Sequence, residues 1–283
     1  MAFVIQWRKD NVSVETERRH VLGAFSLFPE EGLVHGVSTR FGGVSKAPFA
    51  SLNMALHTGD SPSDVWENRR LFAEVLQVDA ERIVTPRQVH GDEIHIVQAS
   101  DAGMGAKRFD ESVFACDALL TQEPDIPLML CFADCVPLLF FDPVQRVAAV
   151  AHAGWKGTAA RIGQKTVFRM QEVFHSRPQN VLAGIGPAIG ACCFAVGEEV
   201  TQIFRAAFPE NPQILSRSSE GNATVDLWAA NRLQLEEAGL LPEHIDSADV
   251  CTMCSAERFY SYRKAQGNTG RFAAWIALRR DVN

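Results

Sequence analysis

The chain has 283 residues, 47% hydrophobic and 22% charged, with a formal charge of −7. That balance suits a globular protein large enough to bury a core without staples, and it lacks the basic footprint of a nucleic-acid binder. No apolar run approaches the roughly 18 residues of a membrane helix, and the opening MAFVIQWRKDNVSVETERRH has no apolar stretch long enough for a signal peptide and carries charge early.

A soluble, cytoplasmic protein is therefore expected, with neither nucleic acid nor membrane as partner. Seven cysteines, an odd count in a long chain, do not suggest a disulfide framework. In a reducing compartment they read as core, metal-binding or catalytic thiols.

The elements follow in order. LVHGVSTRFGGVSKAPFASLNMA (33–55) begins as a strand and becomes a glycine-containing loop. SPSDVWENRRLFAEVLQV (61–78) predicts a helix capped by Ser61 or Ser63, with Val65, Leu71, Phe72, Val75 and Leu76 on its apolar face. RIVTPRQVHGDEIHIVQ (82–98) predicts two short strands joined by a turn at Gly91.

PLMLCF, VPLLFFD and RVAAVAH predict three strands between residues 127 and 152, with Asp142-Pro143 opening the last turn. GWKGT breaks the pattern, and a helix is expected from about Thr158 to Phe174. VLAGIGPAIGACCFAVGEEV (181–200) reads as strand, loop and helix start, and ATVDLWAANRLQLEEAG (223–239) holds a helix ended by Gly239. RFAAWIALRR (271–280) is a final strand. Strands and helices mix without strict alternation, which favours an α+β fold of mixed sheets flanked by helices. No repeat or linker divides the chain, so one catalytic domain over 1–283 is expected.

Three polar residues end apolar runs: His90 in RQVHG, Cys135 in ADCVP and His152 in AHAGW. Cys135 and His152 flank a predicted hairpin, so they can be neighbours at one end of it. Packing is the commonest fate of such residues. Two chemistries compete with it. Thiolate and neutral imidazole suit zinc, and catalytic zinc sites use three protein ligands with one open position. Alternatively Cys135 is a nucleophile and His152 its base. Asp134 and Asp117 are candidate proton carriers or supporting groups, and Trp155 is a pocket wall or a core residue.

Arg40, Arg87, Lys156, Arg263 and Arg271 sit in loops and suggest a phosphate or carboxylate site. Lys156, Gly157 and Thr158 precede the expected helix, whose free N–H groups favour an anion. No P-loop is present. CTMC (251–254) lacks a second CxxC and reads as ordinary thiols; Cys192 and Cys193 read as packing, and Cys116 and Cys131 as core.

STRFGGVS, RQVHG, ADCVPLLFFD, HAGWKGT, IGPAIGACCFAVGEEV, DLWAANRLQL and RFYSYRK…TGRFA stand in one order over about residues 33–279. Together they resemble the YfiH family, also called PgeF or the polyphenol oxidase laccase-domain family. The resemblance implies a fold similar to the catalytic domain of cytotoxic necrotizing factor. It implies one zinc per chain, held by His90, Cys135 and His152, with Cu²⁺ able to take the site in vitro because affinity rises toward copper.

It also implies phosphorolysis of adenosine, inosine or methylthioadenosine, deamination of adenosine, and a link to peptidoglycan editing. A purine nucleoside and phosphate are then the expected partners, with Cys135, His152 and Asp134 as catalytic groups. Three other readings stand beside it: an amidase on a peptidoglycan precursor, a copper polyphenol oxidase, and a metal-braced binding protein. The oxidase fits poorly, because the eight histidines form no His-x-His pair. The oligomeric state is left open.

Overall fold

The computed structural model describes residues 3–7, 21–217 and 221–280. The reading of residues 1–20 as free of a signal peptide lies mostly outside them. Among the described residues no helix is long and apolar enough to cross a membrane.

The chain starts with β1 (Phe3–Trp7), β2 (Val21–Phe25) and β3 (Leu33–Ser38), then α1 (Pro62–Leu76) and the short β4 (Ile94–Ile96). Next come β5 (Ala118–Thr121), β6 (Leu128–Phe132), β7 (Val136–Asp142) and β8 (Val147–Ala153). Helices α2 (Trp155–Ala159) and α3 (Ile162–Phe174) follow, then β9 (Leu182–Ile185), β10 (Ala195–Val196) and α4 (Glu198–Ala207). The chain continues through β11 (Leu215–Arg217), β12 (Ala223–Val225), α5 (Leu227–Glu237), β13 (Ile245–Ser247) and β14 (Phe272–Leu278).

A five-stranded sheet has the order β1-β2-β3-β14-β6, and a six-stranded sheet the order β13-β9-β7-β8-β5-β4. Parallel and antiparallel pairs mix in both, so the expected α+β class with mixed sheets is the observed one.

Alternation along β7 explains the layering. Leu138 and Phe140 face a core shared with Ile162, Val167 and Met170 of α3 and Leu235 of α5. Leu139 and Phe141 face the opposite way, into a core shared with Leu130 and Phe132 of β6 and Phe272 and Ala274 of β14. The other face of the five-stranded sheet puts Met129 and Trp275 against Phe72 and Leu76 of α1. Successive strand side chains point to opposite faces, so the order of layers is helix, sheet, sheet, helix. Strands covered on both faces read as unbroken apolar runs, and all residues of β6, β7, β8 and β14 are buried.

Three expectations need correction. The segment 82–98 holds one short strand, β4; Val84 and Pro86 make only isolated bridges, to Leu128 and Val113. The helix expected from Thr158 to Phe174 is two helices, because Arg161 takes a left-handed φ of 66° between α2 and α3. Lys156, Gly157 and Thr158 therefore lie inside α2 rather than before a helix. The Thr158 N–H already bonds Gly154 O at 2.7 Å, so it is not free for an anion. On α1 the buried face includes the polar Asn68 and Arg69. The Arg69 guanidinium donates to the carbonyls of Met54, Gly105 and Ala106, which ties two loops to the helix.

Candidate metal centre

Residues 133–135 carry the chain from β6 in one sheet to β7 in the other. That crossover is why an acid and a thiol interrupt an apolar run: the backbone leaves one ladder before it joins the next. Asp134 takes a φ of 87° there, a region that non-glycine residues adopt with strain. β7 and β8 pair antiparallel with Pro137 opposite His152 and Val136 opposite Ala153. Cys135 and His152 thus meet at one end of the hairpin.

His90 arrives from the loop before β4. Gln88 anchors that loop to β6, accepting from Cys131 N at 2.8 Å and donating to Cys131 O at 2.9 Å. Asp117 then organises the whole corner. Its fully buried carboxylate accepts the backbone N–H groups of Val89, His90 and Gly91 at 3.2, 3.0 and 2.7 Å, and it bonds His152 Nδ1 at 2.9 Å. One side chain therefore sets the backbone of one histidine and the ring of the other.

The ligating atoms of His90, Cys135 and His152 all lie within 4.8 Å of one another. The two imidazoles meet edge to face, 4.8 Å between centroids. Gly154 leaves the space open: a Cβ there would lie 3.1 Å from Cys135 Sγ and 3.3 Å from His90 Cδ2.

The electrostatics match. Burial opposes the Cys135 thiolate, but the charge of His152 and hydrogen bonds from both histidines outweigh it and hold the thiol below its usual range. Burial likewise opposes the His152 cation, and Cys135 and Asp117 outweigh it and raise the imidazole. Asp117 is pulled below the ordinary carboxylate range, because the bond to His152 and the loop amides overcome the cost of its burial.

The donor set fits zinc: two imidazoles and one thiolate, with a carboxylate behind one imidazole, as ligating histidines usually have. A structural zinc site is normally closed by four protein ligands; this group offers three.

Asp134, expected among the catalytic groups, bonds neither histidine. Its oxygens accept from Thr252 Oγ1 at 2.6 Å and from the Arg263 N–H at 2.7 Å. The cationic residues have partners of their own. Arg40 donates to Ala50 O and Ala256 O and lies over Tyr260. Arg87 lies over Phe109 and Phe114. Exposed Lys156 sits over Trp155, which packs partly buried on the helix-side core. Arg263 donates to Ala195 O and lies over Phe194. Arg271 donates to Thr269 O and Gly270 O, lies over Tyr262, and is close enough for its charge to couple to Cys135 and Asp134.

Sequence reasoning missed three contributors. Gly154 keeps the site clear, and only its place between His152 and Trp155 hinted at that. Gln88 pins the loop. His57 was not singled out; burial first, and then the charges of Arg271, Arg69, His152 and His90, lower it to about 4. A cavity of about 740 Å³ between α4 and the β11–β12 hairpin contains none of these residues.

Fold and site define a class: an α+β, doubly layered protein with a two-histidine, one-cysteine group at the crossover between its sheets. The chain belongs to the family described as multi-copper polyphenol oxidoreductase laccase, whose model matches residues 34–279. It is 44% identical over 254 residues to the purine nucleoside phosphorylase YlmD of Geobacillus stearothermophilus, covering 89% of this chain and 93% of that one. It is 34% identical over 266 residues to a purine nucleoside phosphorylase of Bacteroides thetaiotaomicron, covering 94% and 98%. The crystal structure of YfiH from Bacillus licheniformis superimposes with a TM-score of 0.85 at 38% identity, over 87% of this chain and 93% of that one.

Proposed function

We propose that the chain is a zinc-dependent purine nucleoside phosphorylase that also deaminates adenosine, acting as one catalytic unit. The observation that carries the reading is the convergence of His90, Cys135 and His152 on one another, with Asp117 bonded to the His90 backbone and the His152 ring, in a chain whose relatives bear the phosphorylase name. A zinc held by His90, Cys135 and His152 would supply Lewis acidity there.

In phosphorolysis a phosphate oxygen forms the new bond to the sugar C1′ while the bond from C1′ to the base breaks. The products are ribose 1-phosphate and the free purine. Phosphate needs fixed positive charge. Arg271 is the first choice, being half-buried with its charge felt at Cys135, although its Nη1 also holds the Thr269 and Gly270 carbonyls; Arg40, Arg87, Lys156 and Arg263 are the alternatives. Flat purines need aromatic faces, and Phe114 and Tyr262 are 78% and 52% exposed beside Arg87 and Arg271. Asp134 acts in this reading as a brace for the loops that carry Thr252 and Arg263.

A copper oxidase is disfavoured: among the described residues a single group contains histidine ligands, where several coppers need several. A second reading has an observation of its own. Asp117, His152 and Cys135 stand in the order of orienter, base and nucleophile, which suits an amidase acting on a peptidoglycan precursor. His90 argues for metal, because a nucleophile needs one imidazole and this sulfur has two.

The test is adenosine with inorganic phosphate. Adenine and ribose 1-phosphate are expected from the wild type, with neither from Cys135→Ala. Full activity in a metal-free Cys135→Ala protein would sink the reading. Release of alanine or serine from a stem-peptide precursor, without nucleoside turnover, would favour the amidase.

A further inference from the structure

Two cysteine pairs play no part in the His90–Cys135–His152 group. Cys192 and Cys193 follow β9, and Cys251 and Cys254 follow β13. Each pair alone reads as ordinary thiols, but the fold brings the pairs together. Cys192 Sγ lies 3.7 Å from Cys193 Sγ and 3.7 Å from Cys254 Sγ, and Cys193 Sγ lies 3.4 Å from Cys254 Sγ. With Cys251 included, all four sulfurs are within 4.8 Å of one another. A disulfide would need about 2.05 Å. Four sulfurs at about 2.3 Å from one zinc stand about 3.8 Å apart along the edges of a tetrahedron. The three separations among Cys192, Cys193 and Cys254 are close to those edges.

The backbone is built to the same end. Cys193 N and Phe194 N both bond Gly190 O at 2.9 Å, a tight turn that delivers both vicinal thiols to one place. A vicinal pair chelates poorly by itself; here it supplies half of a set. Ser255 N closes the other turn on Cys251 O at 2.9 Å. Gly190 N–H donates to Cys251 Sγ at 3.3 Å, an outer contact of the kind that steadies a ligating thiolate.

We propose that Cys192, Cys193, Cys251 and Cys254 form a second metal site, a closed tetrathiolate for Zn²⁺. One zinc and four thiols give the tetrathiolate and four protons, with no change of oxidation state. Four protein ligands fill the tetrahedron, so the site is structural. It clips the loop after β9 to the loop after β13. Both loops grip Asp134: Ile189 N–H donates to its carbonyl at 2.9 Å, and Thr252 and Arg263 hold its carboxylate at 2.6 and 2.7 Å. Asp134 precedes Cys135, so the second ion braces one wall of the first site.

The test counts metal in the full chain after reconstitution with Zn²⁺ or Co²⁺ under reducing conditions. Wild type is expected to hold two equivalents, Cys135→Ala one, and the Cys192→Ser/Cys254→Ser double variant one. Cobalt-loaded Cys135→Ala should keep intense thiolate-to-cobalt charge-transfer absorption, and the double variant should lose most of it. Should the double variant fail to fold, Cys192→Ser alone, at an exposed position, is expected to surrender its zinc to a chelator faster than wild type, having lost one of four ligands. The proposal is overturned if Cys135→Ala takes up no metal, or if the cysteine variants hold and retain as much as wild type. None of these counts depends on the reaction at the first site, so failure here is distinct from failure of the nucleoside reading.

Discussion

Asp117→Asn offers the sharpest probe of the site. The carboxylate accepts four hydrogen bonds, from Val89, His90, Gly91 and His152, and it is fully buried. An amide of the same shape has one accepting oxygen and an NH₂ group that only donates. At least one N–H donor then faces another donor. Hydrogen bonds to a charged group are worth about 1.5–3 kcal/mol each, and an orphaned buried donor costs about 1–3 kcal/mol. A loss of about 2–4 kcal/mol is expected, allowing for relaxation, read as a lower urea midpoint.

The effect on metal is separate. A carboxylate behind a ligating histidine is typically worth about 10–100-fold in affinity, so the variant should lose metal to a competing chelator by about that factor. The pH dependence has a definite sign. The native carboxyl sits below its unfolded value of 3.8, so its contribution is present above pH 3.8 and fades as pH falls through the native value. Wild type should therefore show more acid destabilisation than Asp117→Asn at that end. Unchanged metal affinity together with an unchanged midpoint would refute the role given to Asp117.

Gly154→Val should fold but bind metal weakly, because its Cβ would press Cys135 Sγ and His90 Cδ2 at 3.1 and 3.3 Å; circular dichroism with metal analysis checks it. In metal-free protein Cys135 should alkylate almost as fast at pH 7 as at pH 8, since His152 and His90 hold it as thiolate, whereas an ordinary thiol slows about tenfold per unit. Added zinc should protect it, measured by peptide mass mapping. His35 accepts from Phe25 N–H at 2.9 Å and is lowered to about 4 by burial. Its native value lies below the unfolded 6.5, so it should cost stability progressively as pH falls from 6.5 toward 4. Its ring resonances should stay unprotonated down to about pH 4, and a midpoint near 6.5 would contradict its buried, accepting state.

Local pattern exposed much of this protein. Continuous apolar runs located β6, β7, β8 and β14, because strands covered on both faces need no polar alternation. The hairpin between Cys135 and His152 was legible because a short turn forces two flanking residues to one end. The ordered motifs from STRFGGVS to TGRFA pointed to the family whose model matches residues 34–279. The break at Arg161 was not legible, since one left-handed residue leaves no mark on helical periodicity.

Two further features belong to the tertiary structure alone. β6 and β7 are adjacent in sequence but lie in different sheets, and only that crossover explains why Asp134 and Cys135 sit between them. Four cysteines from two distant loops become one cluster because sheet packing, not sequence spacing, sets where those loops end. Neighbouring residues and periodicity determine an element and its faces. Which elements meet depends on how their buried faces are shared, and that is settled only when the layers close on one another.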